Sequence, residues 1–233
     1  MRKVIVNFSG GKDSTVAILE AMKRYPKGEI VLCYQDTGAE YLETEGHVKT
    51  IAGMLDLPLV ILRNDVDFWE DIRQRQHFPT VGGRFCTRDL KVHLFRRWVI
   101  ANRENLGDDI IVVSGIRNEE SRYRQNLPEW SEHETMLRGG KFNAWNWRPC
   151  KEMRRQEIFD RIDAEGLPLH SCYEFSARLS CWCCIFAPPV EVRAYAEMHP
   201  ELYERACLLE DEIKHKWKEG FSLNDLFKQG RLF

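Results

Sequence analysis

Several features are scarce in this 233-residue chain. No apolar run approaches the roughly 18 residues that mark a membrane-spanning helix, so no membrane partner is expected. Net charge is nearly absent: 34 basic residues against 36 acidic ones leave a formal −2. That balance gives no global argument for a nucleic-acid partner. A local basic run, Arg88, Lys91, Arg96 and Arg97, reads as a solvated helix face. Internal repeats and low-complexity tracts are also missing. What remains is an ordinary globular composition, 43% hydrophobic and 30% charged, sized for one α/β domain or a domain with a small lobe. The apolar stretch Val4-Ile5-Val6 is too short for a secretion signal and reads as a strand, so a cytoplasmic location is expected. Without such a signal the eight cysteines are not expected to form a disulfide framework. Four of them, Cys172, Cys181, Cys183 and Cys184, fall within 13 residues, and such clustering points to metal binding or redox chemistry.

Periodicity predicts strands at Val4 to Phe8, Glu29 to Tyr34, Leu59 to Leu62 and Asp109 to Ser114. Helical spacing covers Thr15 to Arg24 and Thr44 to Leu55. Strands alternating with helices predict right-handed crossovers and a mainly parallel, doubly wound sheet. Residues 123–147 are polar, carry Trp130, Trp145 and Trp147, and read as a long loop near the site. Residues 151–165 read as a helix closed by Gly166-Leu167-Pro168, and Pro189 to about Lys218 reads as another.

Ser9-Gly10-Gly11-Lys12-Asp13-Ser14 falls between the first strand and the first helix. Glycines let backbone N–H groups approach an anion, and a helix N-terminus favours negative charge. Lys12 adds a cation and Ser14 a hydroxyl. The spacing is not that of a Walker A loop. Asp36-Thr37-Gly38 follows the second strand, at the sheet edge where parallel sheets bind ligands. Gly115, Arg117, Glu120, Ser121 and Arg122 follow the fourth strand, and planar guanidinium groups suit phosphate or sulfate. The plain alternative for Arg117 is an ion pair with Glu120. Cys181 and Cys184 have the C-x-x-C spacing that lets two thiolates hold one metal from a tight turn.

These motifs resemble the PP-loop enzymes, and within them the phosphoadenylylsulfate (PAPS) reductase family. The six-residue loop matches S-G-G-K-D-S, Gln35 to Glu40 resembles D-T-G-x-E, and Gly115 to Arg122 resembles G-x-R-x-x-E-S-x-x-R. Cys86 stands in a segment similar to C-T-x-x-L-K. The resemblance implies an adenine nucleotide alpha-hydrolase-like sheet. It implies ATP with Mg²⁺ at Ser9 to Ser14, with Lys12, Asp13 and Arg117 in the chemistry. It also implies a [4Fe–4S] cluster on Cys86, Cys172, Cys181 and Cys184; tetrahedral zinc accepts the same four thiolates. The expected organisation is a nucleotide-binding α/β domain over residues 1–122, an insertion and cysteine-cluster segment over 123–187, and a C-terminal helical tail over 188–233, so that the sheet carries a C-terminal helical, cysteine-containing lobe.

No cysteine follows Cys207, so the C-terminal E-C-G-x-H nucleophile of assimilatory sulfonucleotide reductases is not found. The Cys172…Cys181-Trp182-x-Cys184 pattern is more similar to the iron–sulfur component of DNA phosphorothioation systems. The expected activity is therefore an ATP pyrophosphatase supporting sulfur transfer, with a cysteine desulfurase or other sulfur donor, and a nucleic acid as acceptor. An adenylylsulfate or PAPS reductase releasing sulfite is the alternative within the enzymes. A non-catalytic nucleotide-binding subunit, in a homo-oligomer or a larger assembly, is the alternative outside them.

Overall fold

A computed structural model describes residues 2–134 and 142–228. Residues 135–141 of the expected insertion and 229–233 of the expected tail lie outside the described residues. Six strands form one sheet: β1 (Arg2–Asn7), β2 (Ile30–Asp36), β3 (Leu59–Arg63), β4 (Asp109–Val113), β5 (Trp130–Glu132) and β6 (Asn143–Trp147). Their order is β3-β2-β1-β4-β6-β5. All pairings are parallel except β5 with β6. The four predicted strands are present, and the fold is the mainly parallel α/β sheet that their alternation with helices predicts.

Both faces are covered, as a parallel sheet requires. One face packs against α1 (Lys12–Arg24), α2 (Thr44–Leu55) and α5 (Arg155–Ala164), through residues such as Val16, Leu19, Ile51 and Ile158. The other packs against α4 (Leu94–Ala101), through Leu94, Phe95 and Val99 on Ile5 and Ile110. A third cluster, around Tyr41, Phe78, Trp182, Tyr195 and Trp217, forms the core of a C-terminal lobe and includes α3 (Phe68–Arg75).

The structure departs from the sequence reading in three places. Residues 123–147 are not simply a loop, because β5 and β6 extend the sheet. β5 has only three residues, and β6 reads Asn-Ala-Trp-Asn-Trp, whose asparagines interrupt any apolar run. The single helix expected from Pro189 is two, α6 (Pro189–Met198) and α7 (Pro200–Ile213), because Pro200 has no N–H to continue the ladder. It also ends early, at Lys214 with φ 53°. Finally, Phe85–Thr87 leads through a π-helical stretch, Arg88–His93, into α4. That stretch had no strong periodicity to read.

Candidate functional site

β1 lies between β2 and β4, so chain connections leave it in opposite directions and a crevice opens at its carboxyl end. The Ser9–Ser14 loop occupies that crevice. Gly10 has φ +79°, and a Cβ there would come 2.9 Å from Val48. No side chain caps the first turn of α1, whose N-cap is Gly11. Ser14 donates to the Gly11 carbonyl at 2.8 Å, and its Oγ lies 3.2 Å from Ser9 Oγ. The Tyr173 hydroxyl accepts from Lys12 N at 2.8 Å, which ties the C-terminal lobe to the loop. From the other side, a Cβ on Gly115 would sit 2.3 Å from the Asp13 carbonyl carbon and 2.6 Å from Ser14 N. Only glycine lets the end of β4 approach α1 this closely.

The charges beneath the loop form a chain. Lys12 Nζ meets Asp13 Oδ2 at 2.6 Å, and Arg117 Nε meets Asp13 Oδ1. Arg117 Nη1 reaches Glu119 at 2.6 Å. Burial disfavours the Arg117 cation, but Asp13 outweighs it and holds the pKa above the ordinary value. The Lys12 ammonium lies 6.0 and 5.7 Å from the rings of Phe159 and Tyr173. Arg117 therefore grips Asp13 and Glu119 side chains, while Glu120 accepts from its backbone N–H at 2.8 Å. The ion pair considered from the sequence exists, with different partners.

A cavity of about 390 Å³ brings this loop together with the cysteines. Ser9, Gly11, Asp13, Ser14, Gly115 and Glu120 form one wall. Cys86, Cys181, Cys183 and Cys184 form the facing one, with Lys91, Arg84 and Arg178. Thr37 lies between them. Gly10, Lys12 and Arg117 sit behind the wall. Asp36 and Gly38 hold the neighbouring turn: Asp36 accepts from Gly38 N at 3.0 Å and from Arg63 at 2.8 Å. Ser121 caps the turn after β4 by accepting from Arg124 N at 3.2 Å. Arg122 is exposed and off the cavity, whereas Arg124 lines it.

Glu40, which sequence reasoning did not single out, joins Thr37 to the thiol wall. Its carboxylate accepts from Thr37 N and Oγ1 at 2.9 and 2.8 Å and from Lys91 at 3.2 Å. Burial pushes the Glu40 carboxyl up, but Lys91 and Thr37 outweigh it and the pKa falls below the usual range. Burial likewise works against the Lys91 cation, and Glu40 more than restores it. Glu40 bridges to Cys181 through the backbone, and Trp182 N donates to the Ala39 carbonyl at 3.1 Å. The available signals were the Glu of D-T-G-x-E and the Lys of C-T-x-x-L-K.

Cys172 is not among the residues that line the cavity with Cys86, Cys181 and Cys184. It is fully buried, its backbone N–H donates to His170 Nδ1 at 3.0 Å, and burial pushes its thiol up to about 12. Burial also raises Cys86 and Cys181. Among the described residues no three His, Cys, Asp or Glu side chains converge as a metal site. As arranged here, the expected four-thiolate set does not fit a closed cage: three members share a wall and Cys172 belongs to the core. Cys33, Cys150 and Cys207 are also core residues.

A family profile described as phosphoadenosine phosphosulfate reductase domain matches residues 3–186. The chain belongs to that family. Sequence relatives of this PAPS reductase domain include the uncharacterized protein MJ0973 of Methanocaldococcus jannaschii, 29% identical over 91% of the chain and 51% of the relative. A second protein of that organism, MJ0066, is 26% identical over 97% of the chain and 46% of the relative. The chain thus spans about half the length of these curated relatives. Similar solved structures include the PAPS reductase of Candida auris in a phosphate complex, with TM-score 0.54, 16% identity, and coverage of 79% of this chain and 83% of that one. Another is FMN adenylyltransferase of Candida glabrata with FAD and inorganic pyrophosphate, with TM-score 0.52, 13% identity, and coverage of 75% and 52%. These likenesses establish the fold. No described helix is long and apolar enough to cross a membrane.

Proposed function

We propose that this PAPS reductase domain is a PP-loop ATP pyrophosphatase that activates an acceptor oxygen so that sulfur can replace it. The observation that carries this reading is the single cavity with a phosphate loop on one wall and thiols on the other. The loop amides and the α1 N-terminus would bind the pyrophosphate of ATP. Both Asp13 oxygens are held by Lys12 and Arg117, so the accompanying Mg²⁺ would be carried by the phosphates of ATP. An acceptor oxygen attacks the α-phosphorus and pyrophosphate leaves. The Lys12–Asp13–Arg117 chain behind the loop fixes the charges that face the departing group. Adenylylation turns the oxygen into a leaving group. A persulfide, delivered by a cysteine desulfurase or similar donor to a cavity thiol, attacks the activated carbon and AMP leaves. A second cavity thiol then cleaves the S–S bond, and an external thiol reduces the resulting disulfide. No step is routed through an iron–sulfur cluster or zinc.

The test is pyrophosphate release from ATP with a nucleic-acid acceptor and a persulfide donor. The reading predicts release in the wild type and loss in Lys12→Ala, with the fold retained. Sulfite release from adenylylsulfate or PAPS, with no pyrophosphate from ATP, would replace this reading by the reductase one.

A further inference from the structure

Four cations line the main cavity, and two of them are neutralised: Lys91 by Glu40 and Arg124 by Glu120. The other two, Arg84 and Arg178, have no carboxylate partner among the described residues. Arg84 lies 5.8 Å from the centre of the Phe186 ring, and Arg178 Nη2 reaches the Cys184 sulfur only at 4.0 Å. Glu191, which packs against the Arg178 segment, bonds Ser176 Oγ at 2.8 Å and Ala177 N at 3.2 Å instead. Lys218 adds a third positive charge nearby. Its ammonium donates to the Ala187 carbonyl, and burial together with the neighbouring Arg178 cation lowers its pKa. Among the described residues, like charges thus gather on the thiol side without a carboxylate to offset them.

Position and shape decide which anion fits. Arg84 and Arg178 are exposed, so they stand at the mouth of the cavity rather than on its floor. Arg178 meets Cys184 and Arg84 meets Phe186, so the two guanidinium groups lie along the Cys184–Phe186 segment. Phe186 lines the same cavity and is 43% exposed. Cations beside an open aromatic ring are the pairing by which proteins hold single-stranded nucleic acid: guanidinium groups take phosphates, and rings take bases. A free phosphate would use only the cations. An acidic peptide would leave the ring unused, and a duplex offers no unstacked base face.

We infer that the thiol-side rim holds a single nucleic-acid strand, with a base on Phe186 and the flanking phosphates on Arg84 and Arg178. The strand's place as acceptor rests on the function proposed above; its binding does not. This placement brings the strand to Cys86 and Cys184, while the phosphate loop on the opposite wall stays free for ATP.

The experiment measures, by fluorescence anisotropy, binding of labelled 12-residue oligo-dT and oligo-U to the whole chain, with a saturating non-hydrolysable ATP analogue in place. At least one strand should bind, and more weakly as salt rises from about 50 to 200 mM. Arg84→Ala and Arg178→Ala, at exposed positions, should each weaken it at least threefold. Each should also flatten the slope of log affinity against log salt by about 0.7, the loss of one phosphate contact. Phe186→Ala should weaken the strand at least fivefold and leave that slope unchanged, and Phe186→Trp should keep the affinity. Arg88→Ala, whose charge Asp89 already takes, should change affinity less than twofold. Analogue affinity should change less than twofold throughout. The inference is overturned if neither strand binds, if the analogue displaces the strand, or if binding survives the three alanine substitutions at Arg84, Arg178 and Phe186. It is also overturned if duplex DNA, TMP, UMP or a 12-residue glutamate peptide binds as tightly. Strand binding that is lost with these substitutions, while ATP yields no pyrophosphate, would remove the proposed chemistry and leave the rim standing.

Discussion

The two walls of the main cavity are built in opposite ways. The phosphate wall comes from a few consecutive residues at the ends of β1 and β4, with the backbone as the binding group. The thiol wall gathers Cys86 and Lys91 from one stretch of chain and Cys181 to Cys184 from another, and it depends on a lobe packed around Trp182, Tyr195 and Trp217. One wall is local and rigid through sterics. The other is assembled over long distances and is only as firm as the lobe beneath it. A mutation can therefore disable the first wall without unfolding anything, whereas the second is expected to fail together with lobe stability.

The sharpest way to break this symmetry is at Gly115. Gly115→Ala places a methyl group 2.3 Å from the Asp13 carbonyl and must push α1 away from β4. Affinity for an ATP analogue should fall about 100-fold or more, roughly 2.7 kcal/mol, by calorimetric titration. The alkylation rate of the cavity thiols should remain near wild type. Equal damage to both would mean that the walls are one mechanical unit.

The next test attacks the lobe. Glu210 is 4% exposed and accepts from Trp217 N at 2.6 Å and Leu223 N at 3.1 Å. Glu210→Ala leaves both buried N–H groups unpaired and should cost roughly 3 kcal/mol in denaturant unfolding. It should raise thiol reactivity while leaving the ATP analogue bound. Glu210→Gln, which keeps an acceptor, should recover part of the loss.

Acid should probe the seam between the two regions. Burial first, then His47, lowers the His170 pKa to about 4 from 6.5. His170 Nε2 lies 3.2 Å from Thr44 Oγ1 on α2, and His170 Nδ1 receives Cys172 N. Above pH 6.5 neither folded nor unfolded chain binds the proton, so there is no cost. As pH falls from 6.5 to 4 the unfolded chain takes it up first and stability drops, by up to roughly 3 kcal/mol. Unfolding curves at pH 7, 5.5 and 4 measure the slope, and His170→Gln should flatten it.

The smallest effect is expected at Arg63, an exposed residue joining Asp36 and Glu45. Arg63→Ala should cost about 0.5 kcal/mol, less at high salt, and change analogue affinity less than twofold. A larger loss would show that the Asp36 turn transmits strain to the cavity.

Legibility in the sequence follows the same division. Ser9 to Ser14 was readable because its chemistry is contiguous, and four strands were readable because their central residues form continuous apolar runs. Arg117 and Asp36 lie in motifs that point to ligand binding, yet their side chains hold other protein groups; a motif marks a place without stating which way a side chain turns. Glu40 and Lys91 are 51 residues apart, and nothing local announces their pairing. The thiol wall was half visible: C-x-x-C spacing found Cys181 and Cys184, while the lobe's packing, invisible in the sequence, took Cys172 into the core and left Cys183 on the wall. β5 was lost because three residues carry too little pattern, and β6 because its asparagines interrupt the apolar run.

The π-helical stretch at Arg88–His93 has a consequence for how this cavity can evolve. In a continuous α-helix, residues five apart such as Cys86 and Lys91 point about 140° away from each other. A π-helical segment is wound more widely, with hydrogen bonds spanning five residues rather than four, and here both residues reach the same wall. The arrangement amounts to one residue more than an α-helix would hold. A single-codon deletion between them would restore the regular helix with Cys86 and Lys91 four residues apart, about 40° around the axis and still on one wall. The facing loop has no such freedom, since any change in its length displaces the backbone groups that bind. The thiol wall can therefore absorb a one-residue change in chain length that the phosphate wall cannot.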